Sequence, residues 1–104
     1  MIPKQLKEFI SALSDFTEGE KIVWNEGDND AFFCDHKNHT LHIWHHFDED
    51  RGLSSFIFRL VTAGKSTQFR VTEDENDYEI MRCLYESVVA NANNVSEDIA
   101  DFFE

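Results

Sequence analysis

The chain concentrates its chemically versatile side chains in one short segment, CDHKNHTLHIWHHFDED, which covers residues 34–50. This segment contains all five histidines and one of the two cysteines of the chain. Thiolate sulfur and neutral imidazole nitrogen are the usual protein ligands of Zn²⁺, and histidine is the most frequent general base in enzymes. The segment could therefore hold a metal ion, take part in catalysis or form a recognition surface.

A metal site is the first possibility. Structural zinc sites usually combine closely spaced pairs of cysteines or histidines from two separate places in the chain. Here the potential ligands follow one another, and a β-strand would send His42 and His45 to opposite faces. Cys34 and His36 could share a metal on one face of a strand, with His39 brought near by a turn. Cys34, His36 and His39 are therefore the alternative metal site.

Catalysis is the second possibility. Asp35, Asp48 or Glu49 could orient a histidine base, and Cys34 beside a histidine could act as a nucleophile. The chain nevertheless lacks the motifs G-x-S-x-G and H-E-x-x-H and any glycine-rich phosphate loop. We therefore expect no enzymatic activity, no catalytic residue and no cofactor.

The elements that position this segment are predicted from hydrophobic periodicity. An N-terminal helix is indicated by Pro3 in its first turn and by Gly19 just after its end. Its apolar residues recur at steps of three and four and would share one face: Leu6, Phe9, Ile10, Leu13 and Phe16.

Residues 20–72 have the pattern of five short strands separated by turn residues. The predicted strands are 21–24, 31–34, 39–47, 53–61 and 67–71. Parallel strands need crossover connections of about a dozen residues or more, and these turns are far shorter. The sequence therefore predicts an antiparallel meander.

The acidic run at residues 73–77 predicts the start of a C-terminal helix near Asn76 or Asp77. Ser96 could cap a second short helix whose apolar side would be Ile99, Phe102 and Phe103. The predicted fold is a single α+β domain over residues 1–104, with its helices packed on one face of a five-stranded sheet.

Recognition of a partner is the third possibility for the histidine segment. Strand alternation directs Leu41, Ile43 and His45 toward the helices. A tryptophan between two histidines would then lie on the open face: His42, Trp44 and His46. Tryptophan is enriched among the residues that dominate binding energy at protein interfaces. Trp24, in the first predicted strand, is expected in the core more than at this surface.

The charge is strongly negative and unevenly distributed. The net charge is −12, and residues 71–104 contain ten acidic residues against one basic residue, Arg82. Such a field repels nucleic acid and acidic lipid and attracts basic proteins. The candidate contact residues are Glu73, Asp74, Glu75, Asp77 and Glu79 at the helix start, and Asp98 and Asp101 near the end. Helix capping and a solvated terminus are the alternative roles of these two groups.

In size, acidity and α+β layout the chain resembles small immunity proteins of bacterial toxins and small phage-encoded inhibitors of host defence. The resemblance covers no specific residues. It implies a non-enzymatic inhibitor that neutralises a basic, nucleic-acid-handling protein, with carboxylates placed where phosphates would lie. The alternative is a metal- or small-ligand-binding domain that uses Cys34 and the histidines of residues 36–46.

The remaining expectations concern compartment and assembly. No stretch approaches the roughly 18 apolar residues of a membrane span, and no secretion signal is visible. Two cysteines are too few for a disulfide framework, so a reduced cytoplasm is expected. The sequence leaves open whether the protein is a monomer or a homodimer.

Overall fold

The computed structural model describes residues 1–94, 97 and 99–102. A 3-10 turn, Lys4–Leu6, continues into helix α1, Lys7–Glu18, and helix α2 spans Tyr78–Ala92. Between the helices lie five strands: β1 (Asn25–Glu26), β2 (Ala31–His36), β3 (His39–Asp48), β4 (Leu53–Thr62) and β5 (Lys65–Thr72). The predicted α+β order of helix, five strands and helix is confirmed.

The strands form one antiparallel sheet in the order β1-β2-β3-β4-β5, so the predicted meander is confirmed. Two residues join β2 to β3, and two join β4 to β5. Tight hairpins need left-handed backbone, which Lys37 supplies in the first turn (φ +56) and Gly64 in the second (φ +76).

Helix α2 crosses one face of the sheet. The ring of Tyr78 lies 5.1 Å from that of Phe56 on β4, and the ring of Tyr85 lies 5.7 Å from that of Phe32 on β2. The helix therefore runs from the β4 side toward the β1 side. Its inward residues are fully buried in the core: Met81, Leu84 and Val88.

Helix α1 lies beside α2 and runs in the same direction. Near the start of both helices, the Ile2 N–H donates to the Asp77 carboxylate at 2.9 Å. Near their ends, the Asn91 amide donates to the Thr17 carbonyl at 3.2 Å. Side by side, the two helices cover the same face of the sheet.

The alternation predicted for β3 is confirmed over residues 41–46. Leu41 and Ile43, only 3% and 0% exposed, face the helices. His42 and Trp44 are half-buried and His46 is exposed on the other face, which neither helix covers. We call this the open face. Burying a large apolar side chain stabilises a fold by about 1.5–3 kcal/mol, so a slip of β3 by one residue would be costly.

The first strand differs from the prediction, because β1 begins at Asn25 and not within residues 21–24. Ile22 and Trp24 are buried, and their backbone bonds go to a side chain of α2. The Trp24 N–H donates to Asn91 Oδ1 at 2.7 Å, and the Ile22 carbonyl accepts from Asn91 Nδ2 at 2.9 Å. A strand neighbour is therefore not needed here, and Trp24 belongs to the core as expected.

The C-terminal region can be compared with the helix prediction only in part. Helix α2 starts after Asp77 as predicted and continues through Asn91 to Ala92. Of the predicted second short helix, Ser96 and Phe103 lie outside the described residues. Ile99 and Phe102 are exposed.

Candidate protein-binding surface

The antiparallel meander brings three acidic connections to the same end of the sheet. Strands β2 and β4 begin at this end, and β3 and β5 finish there. We call it the acidic end. It comprises the turn at residues 27–30, the turn at 49–52, the connection at 73–77 and the flanking residues Glu26 and Asp48. Ten carboxylates and one basic residue, Arg51, belong to it.

Five of these carboxylates are exposed and make no side-chain bond in the described part of the chain. They are Glu26, Asp28, Asp30, Glu49 and Asp50. These five acids are not among the contact residues predicted from the sequence, because they are scattered between residues 26 and 50. The predicted meander does indicate that they lie close together, since alternate turns of any meander meet at the same end of the sheet.

The predicted contact residues at the start of α2 have different surroundings. The Asp77 carboxylate is buried, accepts the Ile2 N–H and lies 3.7 Å from Lys7 Nζ. Glu73, exposed, accepts the Ser54 N–H at 2.7 Å. Asp74, also exposed, bonds the Thr72 hydroxyl.

Glu75 is held by the N-terminus of the chain. Its Oε1 lies 2.6 Å from the Met1 amine, and its Oε2 accepts the Thr72 N–H at 2.7 Å. The bond to the amine, followed by the bond from Thr72, lowers the pKa of Glu75 to about 2. Both oxygens of this carboxylate are thus occupied within the chain.

Glu79 is exposed on the first turn of α2 and pairs with Arg82 at 2.6 Å. The hydrogen bond from Arg82 is the largest cause that lowers the pKa of Glu79. The same guanidinium pairs with Glu86 at 3.0 Å. Toward the chain end, Asp101 is exposed, and Asp98 lies outside the described residues.

The open face has an aromatic and cationic centre. The Arg59 guanidinium lies 5.6 Å from the centroid of the Trp44 ring, and its Nε donates to Gln68 Oε1 at 3.1 Å. Ile57, flanked by its cross-strand partners Trp44 and Arg70, is only 1% exposed although neither α1 nor α2 covers it. Arginine and aromatic residues are enriched at protein interfaces, whereas acidic residues are depleted.

Alternate residues of β3 share the open face, and the last of them, Asp48, belongs to the acidic end. His42 lies beside Phe33, with ring centroids 6.5 Å apart. Trp44, His46 and Asp48 follow on the same face, and the Asp48 carboxylate accepts N–H bonds in the next turn at 3.1 and 3.3 Å. The predicted strip of His42, Trp44 and His46 is thus continuous with the acidic end.

The alternative metal residues share a face but do not form a ligand set. Cys34 is 1% exposed, and burial raises the pKa of its thiol, which disfavours the thiolate that a metal needs. His39 Nδ1 lies 2.7 Å from the Thr62 hydroxyl. Within the residues that the structure describes, no three His, Cys, Asp or Glu side chains converge as metal ligands.

Comparison of the chain with protein-family models, with curated proteins and with solved structures gave no match. In the described part of the chain, neither helix has both the length and the apolar character needed to span a membrane.

Proposed function

We propose that the protein is a non-enzymatic inhibitor that binds a basic protein through the acidic end and the adjoining open face. The observation that carries the proposal is the convergence of three acidic connections at the end of the sheet to which the strip of His42, Trp44 and His46 leads. A partner with a basic rim and an apolar pocket would meet both features at once.

The two parts of the surface have different tasks in this proposal. The exposed carboxylates of the acidic end attract the partner and raise the association rate. Trp44 provides the buried contact that slows dissociation. Arg59 stacks against Trp44 and holds its ring in place before the partner arrives, so less side-chain freedom is lost on binding. His42 and His46 border this anchor.

The acids at the start of α2 are of two kinds, exposed contact residues and residues that are bonded within the protein. Glu73, Asp74 and Glu79 are exposed and belong to the proposed contact surface, as does Asp101 at the chain end. Glu75 and Asp77 support it from within, because their oxygens already bond the N-terminal segment. Asp98 is included in the proposed contact surface because of the charge pattern of the sequence alone.

We further infer that the partner handles nucleic acid and that the acidic end competes with phosphates for its basic site. The support is the density of carboxylates at one end of a chain with a net charge of −12. Duplex DNA should then displace the protein from its captured partner at low salt. Co-binding of DNA and protein to that partner would contradict this inference.

The first experiment captures the partner and measures charge dependence. The immobilised protein is exposed at low salt to lysate of the cell that produces it, or of its host. The association rate is then measured for D28N/E49Q/D50N and for a matched control, E8Q/D15N/E20Q, which removes the same charge from exposed positions near α1.

The acidic-end variant should associate about ten-fold more slowly at low salt, and the control should change far less. Equal rates for the two variants would contradict the role of the acidic end. A lysate that yields no partner at low salt would contradict the proposal as a whole.

The second experiment tests the aromatic anchor. Trp44→Ala should weaken binding by about 2 kcal/mol, which is roughly a thirty-fold higher Kd, mainly through faster dissociation. Val61→Ala, on the open face near the β4–β5 turn, is the control for loss of apolar surface. Unchanged affinity of the Trp44 variant would exclude the open face from the interface.

A further inference from the structure

An apolar pocket of about 270 Å³ lies between α1 and the hairpin of β2 and β3. The β2–β3 turn is at the end of the sheet opposite the acidic end. The pocket therefore belongs to a different surface from the proposed protein-binding site. Its lining consists of Phe9, Ala12, Leu13, Phe16, Ile22, His36, His39 and Leu41.

The pocket lies where α1 passes over the end of the covered face that carries the β2–β3 turn. Leu13, Ile22 and Leu41 form a buried floor. Phe9 and Phe16, two turns apart on α1, form a wall and remain 38% and 46% exposed. Exposed aromatic side chains around a concave apolar surface are typical of a binding site.

Polar groups at the mouth favour an anion. His36 and His39 are paired residues on adjacent strands, so both side chains lie on the covered face, and both belong to the pocket lining. When the Thr62 hydroxyl donates to His39 Nδ1, the ring proton lies on Nε2 and can be donated to a ligand. Lys21 Nζ lies 5.2 Å from the centroid of the Phe16 ring, so a full positive charge stands beside the wall.

The carboxylate closest in sequence to the two histidines does not face the pocket. Asp35 alternates with Cys34 and His36, so its side chain lies on the open face. There it accepts a bond from the Thr40 hydroxyl at 2.6 Å. Asp35 therefore does not compete with a ligand for the N–H groups of His36 and His39.

We propose that this pocket binds a small amphiphilic carboxylate, such as a medium-chain fatty acid. The apolar chain lies on the floor of Leu13, Ile22 and Leu41, and the carboxylate meets Lys21 and the two histidines. The volume of the pocket suits such a ligand. Pockets for drug-sized ligands have roughly 300–1,000 Å³, and this slightly smaller pocket suits a smaller molecule. The site is independent of the protein-binding function proposed above.

The test compares three probes that share one chain length: octanoate, octanol and octylammonium. Each is titrated into the full chain at constant ionic strength, and the backbone amide signals of the pocket residues are followed by NMR. This local readout separates the pocket from the carboxylates elsewhere that attract octylammonium. Octanoate should saturate these signals with a Kd about ten-fold lower than either analogue, because only octanoate forms charge-assisted bonds at the mouth.

Two variants with matched controls locate the ligand. Ala12→Leu fills the pocket and should abolish the octanoate shifts, whereas Ser11→Leu adds the same side chain to α1 outside the lining. Lys21→Gln should remove most of the preference for octanoate over octanol, and Lys4→Gln should leave it intact. Octanol or octylammonium binding as tightly as octanoate would overturn the proposal, as would full octanoate binding by the Ala12 variant.

Discussion

Neighbouring carboxylates between β5 and α2 differ in what they contact, although their charge pattern is uniform. Residues 73–79 include five acids, all predicted as partner contacts. Glu75 and Asp77 instead bond the first two residues of the chain. The pattern alone could not predict this, because the partners are separated from these acids by more than seventy positions.

The Glu75 contact makes part of the stability dependent on pH. A carboxyl whose pKa is lowered by folding stabilises the protein above its unfolded pKa, and this contribution is lost as pH falls through the folded pKa. The pKa of Glu75 falls from 4.5 to about 2. Glu75→Gln should therefore reduce the free energy of unfolding at neutral pH, and the difference from the native chain should shrink between these two values.

Urea unfolding from pH 7 to pH 2 measures this difference. Glu26→Gln is the control for removing an exposed carboxylate without side-chain bonds. A Glu75 variant that unfolds like the native chain at neutral pH would show that the N-terminal contact contributes nothing.

At the scale of elements, Asn91 joins three segments that the sequence keeps apart. Its side chain bonds the end of α1 at Thr17 and the backbone of Ile22 and Trp24. These bonds explain why residues 21–24 are an irregular connection, although their composition is typical of a strand. Strands β2 to β5 were predictable because alternation and turn residues specify them locally. The first strand was not, since a distant side chain decides it.

Asn91→Ala should destabilise the fold by about 2 kcal/mol, because partly buried backbone groups would lose their partners. Asn93→Ala, exposed just beyond the same helix, should change stability by less than about 0.5 kcal/mol. Chemical denaturation of the two variants gives the comparison. Similar losses for both would mean that general helix propensity, and not the junction, accounts for the effect.

Considered as a whole, the molecule combines a well-packed core with a concentrated negative charge. The sequence gives the amount of charge, and the antiparallel topology decides where it collects. The strip of His42, Trp44 and His46 was predicted from strand alternation. The five unbonded carboxylates of the acidic end were not, because only the folded sheet brings their turns together.

Repulsion at the acidic end should make stability depend on salt. Raising NaCl from about 10 mM to about 150 mM shortens the screening length from about 30 Å to about 8 Å. The melting temperature should rise by about 3–5 °C, equivalent to about 0.5–1 kcal/mol. The variant D28N/E49Q/D50N should show a smaller rise than E8Q/D15N/E20Q in differential scanning calorimetry. A melting temperature that falls with added salt would contradict this prediction.

The placement of turns at opposite ends of the sheet also gives the molecule an electric polarity along its strands. Lys37 and Lys65 lie at the far end, opposite the carboxylates that collect in alternate turns. In the field of a charged body, such a dipole experiences a torque as well as a force. The protein would therefore be rotated during diffusion, so that the end bearing the negative charge leads and most of the orientational search is completed before contact.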